Sequence, residues 1–321
     1  MHYDVFNGDA DGIIALLQLR LANPLDSHLV TGVKRDIQLL NDLTVRAGDH
    51  VTVLDISMAK NIDGLQRILA NGAVVFYADH HQPGDIPVHK QLITDIDLNA
   101  NICTALIIDR RLKGQFHHWA IAAAYGDNLI ATANQLAADA GLSELQAEQL
   151  QSLGTVLNYN GYGRAVEDLS YHPATLFKRL LHYPCPFSVL SDSDSPYQQL
   201  QQTYQQDMTI ALDLPVYYQS NALRVVVLPN QPYSHRVSGV LGNLLVNRWP
   251  EVAHLVLTEL DDESYSVSLR APLSNKQGAG MLCAQFRSGG GREAAGGINC
   301  LAKQDVAKLI QLVERHYTLA R

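Results

Sequence analysis

Short apolar runs alternate with helix-length amphipathic stretches through the first half of the chain. Residues 3–7, 29–33, 51–54 and 73–78 are apolar and strand-length, and residues 91–94 add a fifth candidate. Helical spacing marks residues 12–21, 61–70, 103–112 and 119–125, with Asn71-Gly72 as a stop. Strands alternating with helices predict a mostly parallel sheet with helices on both faces.

Beyond this region, residues 128–140 and 143–159 read as helices, and Ser143 with Gln146 forms a candidate capping box. Residues 161–186 mix helix and turn signals. Ser191-Asp192-Ser193-Asp194-Ser195-Pro196 is a polar, proline-terminated linker, followed by a glutamine-rich helix over 197–212. A second alternation follows, with strands at 224–228, 253–258 and 265–269 and helices at 234–248 and 306–319. The expected organisation is an α/β catalytic domain over 1–190, a linker and bridging helix over 191–214, and a smaller α/β domain over 215–321, with a cleft between the two domains.

Polar residues punctuate the apolar runs at telling places. Asp9 and Asp11 follow the first strand, Asp55 the third, and Asp79-His80-His81 the fourth; Asp127 ends the apolar run 122–126. Carboxylates and imidazoles are costly beside a sheet core unless something binds them. In open parallel sheets, ligands sit beyond the carboxyl ends of the strands. The four stations are therefore expected at strand ends, converging on one metal site. A two-ion phosphoryl-transfer site holds its ions about 3.5–4 Å apart, bridged by a carboxylate. Donors rich in carboxylate, with imidazole and no thiolate, favour Mn²⁺, with Mg²⁺ as the alternative, over structural zinc.

Composition narrows the reading. At 47% hydrophobic and 17% charged, the 321 residues form a globular chain. A net charge of −8 argues against a protein whose affinity comes from coating long nucleic acids. Cys103, Cys185, Cys283 and Cys300 are scattered and read as ordinary thiols of a reducing compartment. Asp4, Asp9 and Asp11 interrupt any N-terminal signal. No stretch approaches the roughly 18 apolar residues of a membrane span. The expectation is a soluble, cytoplasmic protein; a homodimer is compatible with the sequence.

The sequence Asn7-Gly8-Asp9-Ala10-Asp11-Gly12, then Asp55, Asp79-His80-His81 and Asp127, resembles the DHH phosphoesterase superfamily in order and spacing. The first motif is closer to that of RecJ-type exonucleases than to the His-containing form of nano-RNases and family II pyrophosphatases. Val5 stands where that second form carries a His, and Asn7 where RecJ-type members carry an acidic residue. The resemblance implies two ions: Asp9 on the first, Asp11 on the second, Asp55 between them, and His80 and Asp127 completing the second. It places His81 against the substrate phosphate, with Asp79 orienting an imidazole.

Later in the chain, Ser288-Gly289-Gly290-Gly291-Arg292 is similar to the GGGH loop of the DHH-associated domain, with Arg292 in place of the His. Such a loop offers successive N–H groups to an anion. Arg236, in Ser234-His235-Arg236-Val237, and the strand-end Arg270 match two further positions of that domain. The expected activity is Mn²⁺-dependent hydrolysis of short linear oligonucleotides or dinucleotides such as pGpG or pApA. Alternatives are a phosphomonoesterase acting on 3′-phosphoadenosine 5′-phosphate, a single-strand exonuclease, or a non-catalytic nucleotide-binding protein. The expected partner is a short nucleotide, with no stable long nucleic acid and no membrane.

Overall fold

The computed structural model describes residues 1–261 and 263–319. The chain divides into two compact units, Met1–Gln202 and a second beginning at Thr203.

The first unit opens with strand β1 (His2–Phe6), helix α1 (Ala10–Ala22) and the short strand β2 (His28–Val30). Next come β3 (His50–Leu54), α2 (Ile62–Ala70), β4 (Val74–Asp79) and β5 (Leu92–Ile96). The five strands make one sheet in the order β2-β1-β3-β4-β5, and every pairing is parallel. This is the predicted sheet. Its register pairs Phe6 with Leu54 and Leu54 with Ala78, so the carboxyl ends of β1, β3 and β4 lie level. Two bonds extend the ladder past the strands: Asp55 N–H donates to the Ala78 carbonyl at 3.1 Å, and Asp97 N–H to the Asp79 carbonyl at 3.2 Å.

Val5, Val51, Val53, Val75 and Tyr77 form a buried layer with Leu65, Ile68 and Leu69 of α2. Full burial of each such aliphatic side chain is worth about 1.5–3 kcal/mol. This rigid layer is what holds the strand ends in place.

An all-helical stretch follows: α3 (Thr104–Arg111), α4 (His117–Gly126), α5 (Ile130–Asp139), α6 (Glu144–Gly161), α7 (Pro173–Leu180), α8 (Pro186–Ser191) and α9 (Pro196–Leu212). The Ser143/Gln146 capping box is present at the start of α6. The division between units falls within α9. Residues 122–126 lie in α4, as the helical spacing over 119–125 predicts, so Asp127 is a helix C-cap and not the end of a strand. Alanine is the strongest helix former, so the run Ala122-Ala123-Ala124 is helical despite being uniformly apolar.

The second unit contains β6 (Val216–Gln219), β7 (Leu223–Leu228), α10 (Pro232–Arg248), β8 (Ala253–Asp261) and β9 (Ser264–Arg270). It continues with α11 (Ala279–Cys283), β10 (Gly289–Gly291), β11 (Ala295–Ala302) and α12 (Val306–Leu319). Six strands form a mixed sheet in the order β10-β11-β9-β8-β7-β6, in which β7 and β8 are parallel. Leu223, Val225, Leu255, Leu257 and Leu269 pack with Leu309 and Val313 of α12 to form its core. No helix among the described residues is long and apolar enough to cross a membrane.

Candidate metal centre

Asp9 is the N-cap of α1, with its Oδ1 accepting the N–H groups of Asp11 at 3.0 Å and Gly12 at 3.1 Å. Asp9 and Asp11 therefore do not share a strand face; they project from the first turn of a helix. Gly12 is obligatory there, because a Cβ would lie 2.3 Å from the Asn7 carbonyl oxygen. Asp11 spans the start of α3: its Oδ2 accepts from Thr104 N–H and its Oδ1 from Ala105 N–H, each at 2.7 Å. A carboxylate is favoured at a helix N-terminus by the unpaired N–H groups and the dipole.

Asp55 follows β3 with φ of 58°. A left-handed backbone at a non-glycine residue stores strain and commonly marks a functional position. Thr104 Oγ1 donates to Asp55 Oδ1 at 3.3 Å. Asp79, fully buried, ends β4, and its Oδ1 lies 2.7 Å from His81 Nδ1. His80 Nδ1 meets the Ile102 carbonyl at 2.9 Å. That contact makes Nδ1 the donor and leaves Nε2 as a lone-pair donor to a metal, a common arrangement around ligating imidazoles.

The Nε2 atom faces three carboxylates: Asp55 Oδ1 at 3.4 Å, Asp11 Oδ2 at 3.9 Å and Asp127 Oδ2 at 4.0 Å. Donors around one octahedral ion with bonds of about 2.1 Å stand about 3–4 Å apart. Asp127 Oδ2 is buried with no hydrogen-bond partner among the described residues. Buried carboxylate oxygens are rarely left so, and this one is free to serve as a cation ligand. Asp11, His80 and Asp127 thus fit a hard divalent ion; Asp55, His80 and His81 form an overlapping group.

Burial raises the Asp11 carboxyl against the pull of His80, with Asp127 and Asp9 pushing it further up. Burial, then Asp11, Asp9, Asp79 and Asp127, push Asp55 well above the usual carboxylate range. Cys103 precedes α3, and burial followed by the nearby Asp11 and Asp127 holds its thiol protonated well above the ordinary value. The groups that approach one another closely enough to share an ion are carboxylates and imidazoles.

In the second unit, the predicted Gly289–Gly291 loop is instead strand β10, paired antiparallel with β11. Its N–H groups do not form an open anion nest: Gly289 N–H bonds the Phe286 carbonyl at 2.9 Å and Arg292 N–H the Ala295 carbonyl at 2.8 Å. Gly290 pairs with Gly297 in the ladder. Close packing requires the glycines, since a Cβ at Gly289 would lie 1.8 Å from the Cys283 carbonyl oxygen. Arg292, in the turn between β10 and β11, is exposed. Arg236 is ion-paired to Asp207 at 2.8 Å. The Arg270 guanidinium donates to Asn243 Oδ1 at 2.7 Å and to Ser268 Oγ at 3.0 Å.

No family model and no curated protein matches the chain. Solved structures do. The pGpG-specific phosphodiesterase PggH from Vibrio cholerae is similar with a TM-score of 0.62 and 14% identity over 99% of each chain. Exonuclease RecJ bound to manganese is similar with a TM-score of 0.58 and 17% identity, over 99% of this chain and 90% of that one. RecJ from Thermus thermophilus in complex with Mn²⁺ gives 0.57 and 17%, over 99% of this chain and 52% of that one. The chain shares the fold of these proteins, and the parallel sheet with its level strand ends is part of it.

Sequence reasoning missed a cation. Lys34 reaches into the cluster: its Nζ donates to Asp9 Oδ2, lies 3.2 Å from Asn158 Oδ1 and stands 3.9 Å from Asp127 Oδ1. Burial raises the Asp9 carboxyl, but the Lys34 ammonium and the bonds to it outweigh burial and bring it down to about 2. Reciprocally, burial lowers the Lys34 ammonium, while Asp9, Tyr162 and Asp127 carry it well above its ordinary value. A signal was there to read: Lys34 directly follows the predicted strand 29–33, at the same end of a parallel sheet as the acidic stations. The Ile102 carbonyl and the Thr104 and Ala105 N–H groups were also missed, because backbone groups leave no side-chain signature.

Proposed function

We propose that this chain is a metal-dependent phosphodiesterase that hydrolyses short linear oligonucleotides or dinucleotides, such as pGpG or pApA, to mononucleotides. The observation that carries this reading is the convergence of Asp11, Asp55, Asp127 and His80 Nε2, with a buried Asp127 oxygen that has no hydrogen-bond partner among the described residues. A divalent ion bound there, Mn²⁺ first and Mg²⁺ as the alternative, would supply a Lewis acid and lower the pKa of its water. His80 would hold it through Nε2, with the Ile102 carbonyl fixing the ring. His81, exposed by a third and held at Nδ1 by Asp79, presents its other nitrogen as hydrogen-bond donor or acid to the phosphate. Asp79 thus acts by keeping that imidazole in one tautomer and orientation.

Likeness in fold to a pGpG-specific phosphodiesterase over the full length of both chains supports the dinucleotide substrate. In this reading residues 1–190 carry the metal chemistry and residues 215–321 hold the nucleotide. Arg292, exposed beside the glycine strand, is the side chain in that second region best suited to a phosphate or a base. The likeness to RecJ supports a second reading, an exonuclease on longer single strands. A graded series of 5′-phosphorylated oligonucleotides, incubated with and without Mn²⁺, separates the two. Cleavage concentrated on dinucleotides is expected; no dinucleotide cleavage at any Mn²⁺ concentration would sink the first reading.

A further inference from the structure

The resemblance implies two ions, yet the donors on the Asp9 side are already engaged. Asp9 Oδ1 accepts two backbone N–H groups, and Oδ2 accepts from Lys34. His80 Nε2 belongs to both groups of donors that approach one another closely enough to share an ion, and in one of them His81 Nδ1 is held by Asp79. Asp11, Asp55 and Asp127 face His80 Nε2 and so surround one position; Asp11 is held by neutral backbone N–H groups, whereas Asp9 Oδ2 is held by an ammonium.

Lys34 does not reach the cluster by chance of a flexible stem. Its N–H donates to the Gly161 carbonyl at 2.8 Å, and its carbonyl accepts from Asn7 Nδ2 at 3.2 Å. Asn7 is the residue that departs from the acidic RecJ-type motif. Here its amide clamps the backbone that delivers the lysine. Around Nζ stand Asp9, Asn158 and Asp127, with the Tyr162 ring centroid at 5.5 Å. A divalent ion bound to Asp9 would meet this ammonium at close range, and like charges there oppose each other. Removing the lysine from the site would forfeit those three oxygen partners.

We propose that the Lys34 ammonium stands where the resemblance places the first ion, so that the chain takes a single divalent ion, held by Asp11, Asp55, His80 and Asp127. Asn7 and Lys34 are then one device: an acidic ligand is absent because a built-in cation has replaced the metal it would bind. The inference rests on the metal-dependent reading above.

The test uses the full chain, stripped with chelator and titrated with Mn²⁺ alone, with bound metal counted by equilibrium dialysis and its environment read by electron paramagnetic resonance. One Mn²⁺ per wild-type chain, with the spectrum of an isolated ion, is expected. Lys34→Ala should take a second ion and show a spin-coupled pair, while Lys34→Arg should stay at one. Two ions per wild-type chain overturns the inference but leaves the phosphodiesterase reading intact. A folded Lys34→Ala protein that still binds one ion also overturns it. No Mn²⁺ bound by the wild type removes both readings. The wild-type count decides even if the variants do not fold.

Discussion

Asp79 Oδ1 and His81 Nδ1 lie 2.7 Å apart, so two residues of one short motif are joined side chain to side chain at the mouth of the sheet. Asp79 is fully buried and His81 partly open, so the pair carries an orienting contact from the core to the surface of the site. Asp79→Asn presents an amide where the imidazole needs an acceptor. Turnover should fall about 10–100-fold, the usual cost of losing such a support. The bound Mn²⁺ count should not change; loss of metal would show that Asp79 serves the ion and not the imidazole.

Asp55→Asn separates stability from activity. Turnover should fall by more than about 100-fold, since a ligand and not only its support is lost. The metal-free protein should respond in the opposite sense. A carboxyl raised on folding contributes stability below the ordinary carboxylate range and loses it as pH rises through its raised value. Asparagine has no such loss and tolerates a positive φ. In EDTA at about pH 8, the variant should melt above the wild type.

Two of the three arginines expected to bind substrate, Arg236 and Arg292, should part company. Arg236 is paired with Asp207, of which only 6% is exposed, so Arg236→Ala leaves a carboxylate nearly buried. A loss of roughly 2–3 kcal/mol is expected, below the about 3–5 kcal/mol of a fully buried pair. Arg292→Ala should chiefly raise KM. If neither KM nor kcat moves, Arg292 has no part in nucleotide binding.

His254, fully buried in β8, meets the Trp249 carbonyl through Nε2 at 3.3 Å. Burial lowers its pKa, against the Trp249 carbonyl and with help from Arg224, to about 4. The unfolded chain, titrating near 6.5, then binds more protons between the two values. Stability is full above the upper value and falls as pH drops toward the lower one, by about 3 kcal/mol at most. His254→Leu should flatten that interval in pH-resolved chemical unfolding of the second unit.

The parts legible in the sequence are those whose signal is local. β1, β3 and β4 announce themselves as apolar runs, and Asp79-His80-His81 stands out because a sheet core does not otherwise accept it. Asp127 was expected at a strand end although the spacing over 119–125 reads as helical: an apolar run of alanines serves a buried helix as readily as a strand, and the helix former's preference decides. Gly289–Gly291 was opaque for another reason. Glycine has little strand preference, and its pairing with β11 depends on a partner strand and on the carbonyl of Cys283. Lys34 was visible in position but not in role, because an ammonium cannot ligate a metal and only the fold brings it beside Asp9 and Asp127.

The helix ends around the cluster have a consequence for assembly. Asp9 caps the N-terminus of α1 and Asp11 bridges the N-terminus of α3, so backbone N–H groups neutralise part of the carboxylate charge before any ion is present. Lys34 neutralises more. On the metal-dependent reading proposed above, this compensation by the chain itself makes folding and metal loading separable: the metal-free protein is expected to complete its sheet and helices.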